Sequence, residues 1–352
     1  MKLQYPPSRG VEPLLRAVAA HSARHAGVPV AWRAEALATF GATEALAAAF
    51  LGLLNPGDEV VVIEPAYDSY LPMIRLAGAT PVAVRLAPPA WALDAAALRA
   101  AFSPRTKLLV LNSPHNPTGK CFTPPELELV ASLLLEFDAY ALCDEVYEHL
   151  VFQGGAHASL RALPGMAARC VRVGSAGKTF AFTDLKVGWA TGPPAMVAAM
   201  AKAHAFLTFT VNSALQRAVA LGLDRERAFY GGLGAAMAAK RARLAPRLEA
   251  LGFDVLPAQA TYFLVADFAP LLLLLSDSGG KGSAPDDVAV CERLTREARV
   301  TLLPLSAFYV DAGGAGVPRT LVRFVTCKAD ARLDEACARL EAFFGELRRR
   351  AA

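Results

Sequence analysis

Up to about residue 205, short apolar runs alternate with Ala-rich stretches. The runs EVVVIEP (59–65), TPVAVRL (80–86), KLLVLNSP (107–114), YALCDE (140–145), CVRVGS (170–175) and VGWATGP (187–193) read as strands buried on both faces. Between or after them, residues 43–54, 89–102, 124–138 and 194–204 read as helices. This β-α rhythm predicts an α/β fold: a mostly parallel central sheet in a large domain, covered by helices on both faces. Ligands of such sheets bind at the carboxyl ends of the strands. The rhythm then fades. A long Ala/Arg-rich helix (about 225–251), the strand-like FDVLPAQATYFLVADF, the pair TLLPLS and TLVRFVTCK, and a terminal helix from about 331 predict a smaller C-terminal α+β domain. The division falls at 1–228 and 229–352.

Composition narrows the classes. Of 352 residues, 54% are hydrophobic and 19% charged, which suits a well-buried globular chain. The 36 basic and 32 acidic residues are mixed along it, and only Arg348-Arg349-Arg350 forms a basic block, so nucleic acid is not an indicated partner. No apolar run is long enough to span a bilayer; LLLLL (271–275) is far too short. The stretch SDSGGKGSAPDD after it reads as a surface loop, and its GGKGS lacks the spacing of a phosphate-binding P-loop. Six scattered cysteines without a CxxC pair suit a reducing cytoplasm.

The chemistry-bearing residues follow the strands. After LATF, Gly41 and Ala42 lead into Thr43 and a helix whose start can hold an anion; an ordinary N-cap by Thr43 explains the same residues. After EVVVIEP comes Tyr67, either a stacking platform or core packing. After KLLVLN, SPHNPTGK forms a rigid double turn that can aim the Asn116 amide at a ligand. Asp144 ends YALCD, where a buried carboxylate is costly without a partner; a protonated ring nitrogen, a salt bridge or an N-cap would each serve. After CVRVG, Lys178 stands among small residues, and Ser175 and Lys186 can both reach a phosphate. Arg323 lies inside the apolar strand TLVRFVTCK, and arginine is rarely buried without a carboxylate. His21 and His25 have the i, i+4 spacing of metal ligands on a helix, but HSARH lacks the zinc-protease glutamate and any obvious third ligand, and a solvated face explains them.

Taken in order, SPHNPTGK, DEVYEHLVF, SAGKTF with LKVGW, and LVRF resemble the signatures of the class I/II aminotransferases, pyridoxal-phosphate enzymes of fold type I. The resemblance runs from Tyr5 to roughly Leu340, and SAGKTF with LKVGW is most similar to the kynurenine, glutamine and methionine aminotransferases, some of which also act as cysteine-conjugate β-lyases. It implies that Lys178 holds the pyridoxal 5'-phosphate aldehyde covalently and moves the substrate Cα proton. It implies that Asp144 pairs with the pyridine nitrogen, that Tyr147 and Asn116 bond the ring hydroxyl, and that Tyr67 stacks on the ring. Gly41, Ala42 and Thr43, with Ser175 and Lys186, would bind the phosphate. Arg323, with Asn116, would bind the substrate α-carboxylate. Tyr5 corresponds to a tyrosine that reaches the partner subunit's phosphate, which implies a homodimer.

Two departures accompany the resemblance. Asp184 stands where relatives usually have glycine, and would either weaken cofactor binding or face away. The chain also begins almost at the QYP motif, where relatives carry a further N-terminal segment; this implies either a misassigned start or a more open substrate site. The expected reaction is amino transfer from an apolar, aromatic or sulfur-containing amino acid to a 2-oxo acid. The alternatives are carbon–sulfur β-elimination and a cofactor-binding homologue of impaired activity.

Overall fold

The computed structural model describes residues 4–152, 157–276 and 284–351; the GGKGS stretch lies outside the described residues. Eight strands build the large sheet: β1 (Ala36–Thr39), β2 (Glu59–Glu64), β3 (Thr80–Ala87), β4 (Ala92–Leu93), β5 (Thr106–Asn112), β6 (Tyr140–Asp144), β7 (Cys170–Ser175) and β8 (Gly188–Thr191). Their spatial order is β1-β8-β7-β6-β5-β2-β3-β4. The strands β7, β6, β5, β2 and β3 run parallel, as the unbroken apolar runs predict. Successive residues face opposite cores: Val60, Val62, Leu108 and Val110 join one apolar cluster, and Val61, Ile63, Leu109 and Leu111 join the other. The strand β8 is the exception, running antiparallel to both β7 and β1. Ser175 and Thr39 therefore both lie opposite Gly188. This reversal puts the start of β8 at the same edge as the carboxyl ends of its neighbours.

A second sheet holds β9 (Asp254–Val255), β10 (Phe263–Asp267), β11 (Leu303–Pro304) and β12 (Leu321–Val325), in the order β11-β12-β10-β9. The helices Arg227–Leu251 and Asp330–Ala351 pack against it around Leu248, Phe253, Phe268, Leu340 and Phe344. Three stretches differ from the sequence expectation. The predicted helix 89–102 shrinks to Ala95–Ala100, capped by Asp94, because Ala92–Leu93 pair with β3 instead. A helix over Ser213–Arg225 lies where the rhythm seemed to fade; it starts at an Asn212 cap whose side chain accepts from two backbone amides. LLLLL turns into the short helix Leu272–Leu275.

Candidate active site

At the carboxyl edge of the large sheet lies a cavity of about 180 Å³. Gly41, Ala42, Thr43, Tyr67, Asn116, Asp144, Tyr147, Ser175, Lys178 and Lys186 line it, together with Leu46, Asn112, Val146, Gly177 and Thr183. They come from several strand ends: Gly41, Ala42 and Thr43 follow β1, Tyr67 follows β2, Asn116 follows β5, Asp144 and Tyr147 stand at the end of β6, and Ser175 and Lys178 at the end of β7. Lys186 precedes β8, and only the reversal of that strand brings it to this edge.

The floor is Asp144. It is buried, and burial pushes its carboxyl up to about 6, although bonds from Tyr70 and the Val146 amide and the charge of Lys178 act the other way. The Tyr70 hydroxyl donates to Asp144 Oδ2 at 2.6 Å. Among the described residues no salt bridge reaches Asp144, so a ring cation brought into the cavity would meet a carboxylate that has hydrogen bonds but no cationic partner. Tyr70 received no role from sequence reasoning; its only signal was a second aromatic three residues after Tyr67. The SPHNPTGK turn is tied to this floor. Asn112 Nδ2 donates to the Asp144 carbonyl at 2.8 Å, and Asn112 Oδ1 accepts from the Asn116 amide at 2.6 Å.

Lys178 is half-buried, with Nζ 5.8 Å from the Tyr147 ring centroid and 5.7 Å from that of Tyr262. The anion cradle is backbone-built. Gly41 has φ +75°, a left-handed conformation suited to glycine, at the first residue of the helix Gly41–Leu53. A Cβ on Gly188 would fall 2.5 Å from the Gly41 carbonyl carbon and 2.8 Å from the Ala42 nitrogen, so only glycine lets β8 approach so closely. The Lys186 ammonium lies beside Gly41: a Cβ placed there would be 3.7 Å from Nζ. Asp184 is exposed and does not line the cavity, so of its two alternatives the structure has it facing away.

Arg323 reaches the site from β12. Its Nη1 donates to Asn116 Oδ1 at 2.6 Å, and its guanidinium carbon lies 4.2 Å from the Phe263 ring centroid and 4.7 Å from that of Phe308. The Nε atom is buried without a hydrogen-bond partner, and among the described residues no carboxylate pairs with this side chain. A buried guanidinium edge left unbonded is costly unless a ligand meets it. A carboxylate is the anion that matches its fork. Tyr5 is not brought to the cavity: it is exposed and set edge-on to Phe209, 5.2 Å between centroids. His115 is buried, bonded through Nδ1 to Thr118 Oγ1 at 2.8 Å, and lines no part of the cavity.

A model of the family described as aminotransferase class I and II matches residues 2–340. The chain belongs to this family. It is therefore a pyridoxal-phosphate-dependent transaminase of fold type I. It is 44% identical over 344 residues to the probable N-succinyldiaminopimelate aminotransferase DapC of Mycobacterium tuberculosis, covering 96% of this chain and 84% of that one. With the methionine aminotransferase of Escherichia coli it shares 36% over 337 residues, covering 96% and 83%. The solved N-succinyldiaminopimelate aminotransferase from Mycobacterium tuberculosis superposes with a TM-score of 0.90, covering 97% of this chain and 85% of that one. No helix among the described residues is long and apolar enough to cross a membrane.

The cavity fits the cofactor on three counts: a buried carboxylate without a salt bridge among the described residues, a helix start at Gly41 with Lys186 beside it, and a second lysine, Lys178, on the same lining.

Proposed function

We propose that this transaminase takes an amino donor with an apolar, aromatic or sulfur-containing side chain, and that Lys178, Asp144 and Arg323 carry the reaction. The observation behind this reading is that Lys178 and Asp144 line one cavity and that Arg323, from the second sheet, bonds Asn116 on the wall of that cavity. Bound pyridoxal phosphate supplies an electron sink for the charge that develops at the substrate Cα. Lys178 is the residue that would hold the cofactor aldehyde, and its Nζ would take and return the substrate Cα proton. Asp144, held by the Tyr70 hydroxyl, would pair with the cofactor's pyridine nitrogen and favour its protonated form. Asn116 and Tyr147 bond the ring hydroxyl, and Tyr67 covers the ring face. Gly41, Ala42, Thr43, Ser175 and Lys186 hold the phosphate, and Tyr5 serves the partner subunit's phosphate in a homodimer. Arg323, steadied by Asn116, orients the α-carboxylate so that the Cα proton faces Lys178.

The side-chain preference rests on what surrounds the site. Among the described residues the lining holds Lys178 and Lys186, both with partners in this scheme, and no further cation for a second substrate carboxylate, while Tyr67, Tyr147 and Leu46 present apolar surface. A second reading, an N-succinyldiaminopimelate donor, is favoured by the 44% identity to the Mycobacterium tuberculosis relative. The deciding experiment follows the visible cofactor band of the purified enzyme with each amino acid. Bleaching by methionine, glutamine or kynurenine, reversed by a 2-oxo acid, supports the first reading. Bleaching by N-succinyldiaminopimelate alone replaces it with the second. Release of pyruvate and thiol from a cysteine conjugate without an oxo acid would make the enzyme a β-lyase instead.

A further inference from the structure

The imidazoles that lacked a third ligand in sequence find one in space. His21, on the helix Glu12–Ala26, meets Glu148 and His149 from the segment that follows β6. One ligating atom from each lies within 4.8 Å of the other two. His21 Nε2 and His149 Nε2 are 2.8 Å apart, and Glu148 Oε1 is 4.0 Å from His21 Nε2. His21 and Glu148 are buried, while His149 is partly open to solvent and His25 is exposed beside it, its ring centroid 4.8 Å from that of His149. The cluster is thus closed on the protein side and open on the other.

We propose that His21, Glu148 and His149 bind one divalent transition-metal ion of the zinc class, with solvent completing its shell and His25 at the mouth. Two imidazoles and a carboxylate, with no thiolate, form a donor set that suits zinc, nickel or copper. Tetrahedral bonds of roughly 2.1 Å hold neighbouring donor atoms about 3.4 Å apart. The observed edges of 2.8 and 4.0 Å lie on either side of that value. The supporting contacts are also in place. Arg172 Nη2 donates to Glu148 Oε2 at 3.1 Å, leaving Oε1 to face His21, and Arg172 Nη1 donates to Ser22 Oγ at 3.1 Å. Among the described residues Arg172 is the only arginine or lysine paired with Glu145 and Glu148, and His157 also lies 3.0 Å from Glu145. The ion would clip the first helix to a segment that starts at Asp144.

Calorimetric titration of the metal-stripped holoenzyme with zinc chloride, and visible spectra with cobalt chloride, test this site. One zinc per chain and tetrahedral cobalt bands are expected. His21→Ala and His149→Ala should each lower zinc affinity at least about tenfold while keeping the cofactor band. His149 is the less buried of the two, so its variant decides the matter if His21→Ala does not fold. Absence of saturable binding by the wild-type enzyme overturns the proposal. So does stoichiometric binding that His149→Ala leaves unchanged, which would place the metal on the cofactor or elsewhere.

Discussion

Arg323 gives the most quantitative test of the active-site reading. Its charge is sandwiched between Phe263 and Phe308, its Nη1 is committed to Asn116, and its Nε has no protein partner. A substrate carboxylate would therefore accept from the free edge of the fork. A hydrogen bond to a charged group contributes about 1.5–3 kcal/mol, and each 1.36 kcal/mol is tenfold in rate. Arg323→Lys keeps the charge and loses one of two such bonds, so kcat/KM for an amino acid should fall about 10- to 150-fold. Arg323→Gln loses both and should fall on the order of 10²- to 10⁴-fold. The assay compares each variant on an amino acid and on the amine that lacks its carboxylate. The amine should be a poor substrate of the wild type and should change little in either variant. Equal losses on both substrates would refute the reasoning, because they would mean that Arg323 supports the site's architecture rather than the carboxylate. A loss below threefold for Arg323→Gln would refute it too.

Lys178→Ala should still bind pyridoxal phosphate but without the covalent cofactor band, and should lose turnover almost entirely; wild-type-like turnover would remove Lys178 from the chemistry. Gly188→Ala should weaken cofactor affinity with little change in kcat at saturating cofactor, since its methyl group would press on Gly41 and Ala42; equilibrium dialysis against pyridoxal phosphate measures this. In the cofactor-free protein the Asp144 carboxyl is raised from 3.8 to about 6. The folded state thus binds this proton more tightly than the unfolded state, and its contribution to stability is lost as pH rises from about 4 to about 6. At 1.36 kcal/mol per pKa unit the loss is about 3 kcal/mol. Urea denaturation should accordingly find cofactor-free Asp144→Asn stabler than wild type at pH 7, with the gap closing towards pH 4; a gap independent of pH would contradict the buried, unpaired carboxylate.

The parallel strands, the helices between them and the order of the strand-end residues were legible in the sequence. Each depends on local chemistry: unbroken apolar runs make doubly buried strands, and Gly41, Pro114, Pro117 and Gly119 are turn formers wherever they stand. Most of the family signatures lie in those same strand ends, so Lys178, Asp144 and Asn116, which line the cavity, stood out in the chain alone, as did Arg323 in the middle of β12. Tyr70 could not, because its significance is a single 2.6 Å bond from the start of the helix Tyr70–Leu76 to Asp144 at the end of β6. Nor could the direction of β8: a short buried strand has the same composition whichever way it runs, yet its reversal is what carries Lys186 to the cofactor edge. The third ligand beside His21 was hidden for a related reason. Glu148 and His149 lie 127 and 128 positions away in sequence, in a stretch that reads only as part of the active-site signature. Periodicity and turn chemistry act between neighbours along the chain, and the sequence determines what they determine. Contacts between distant segments depend on strand direction and helix placement, which the packing of the whole molecule decides.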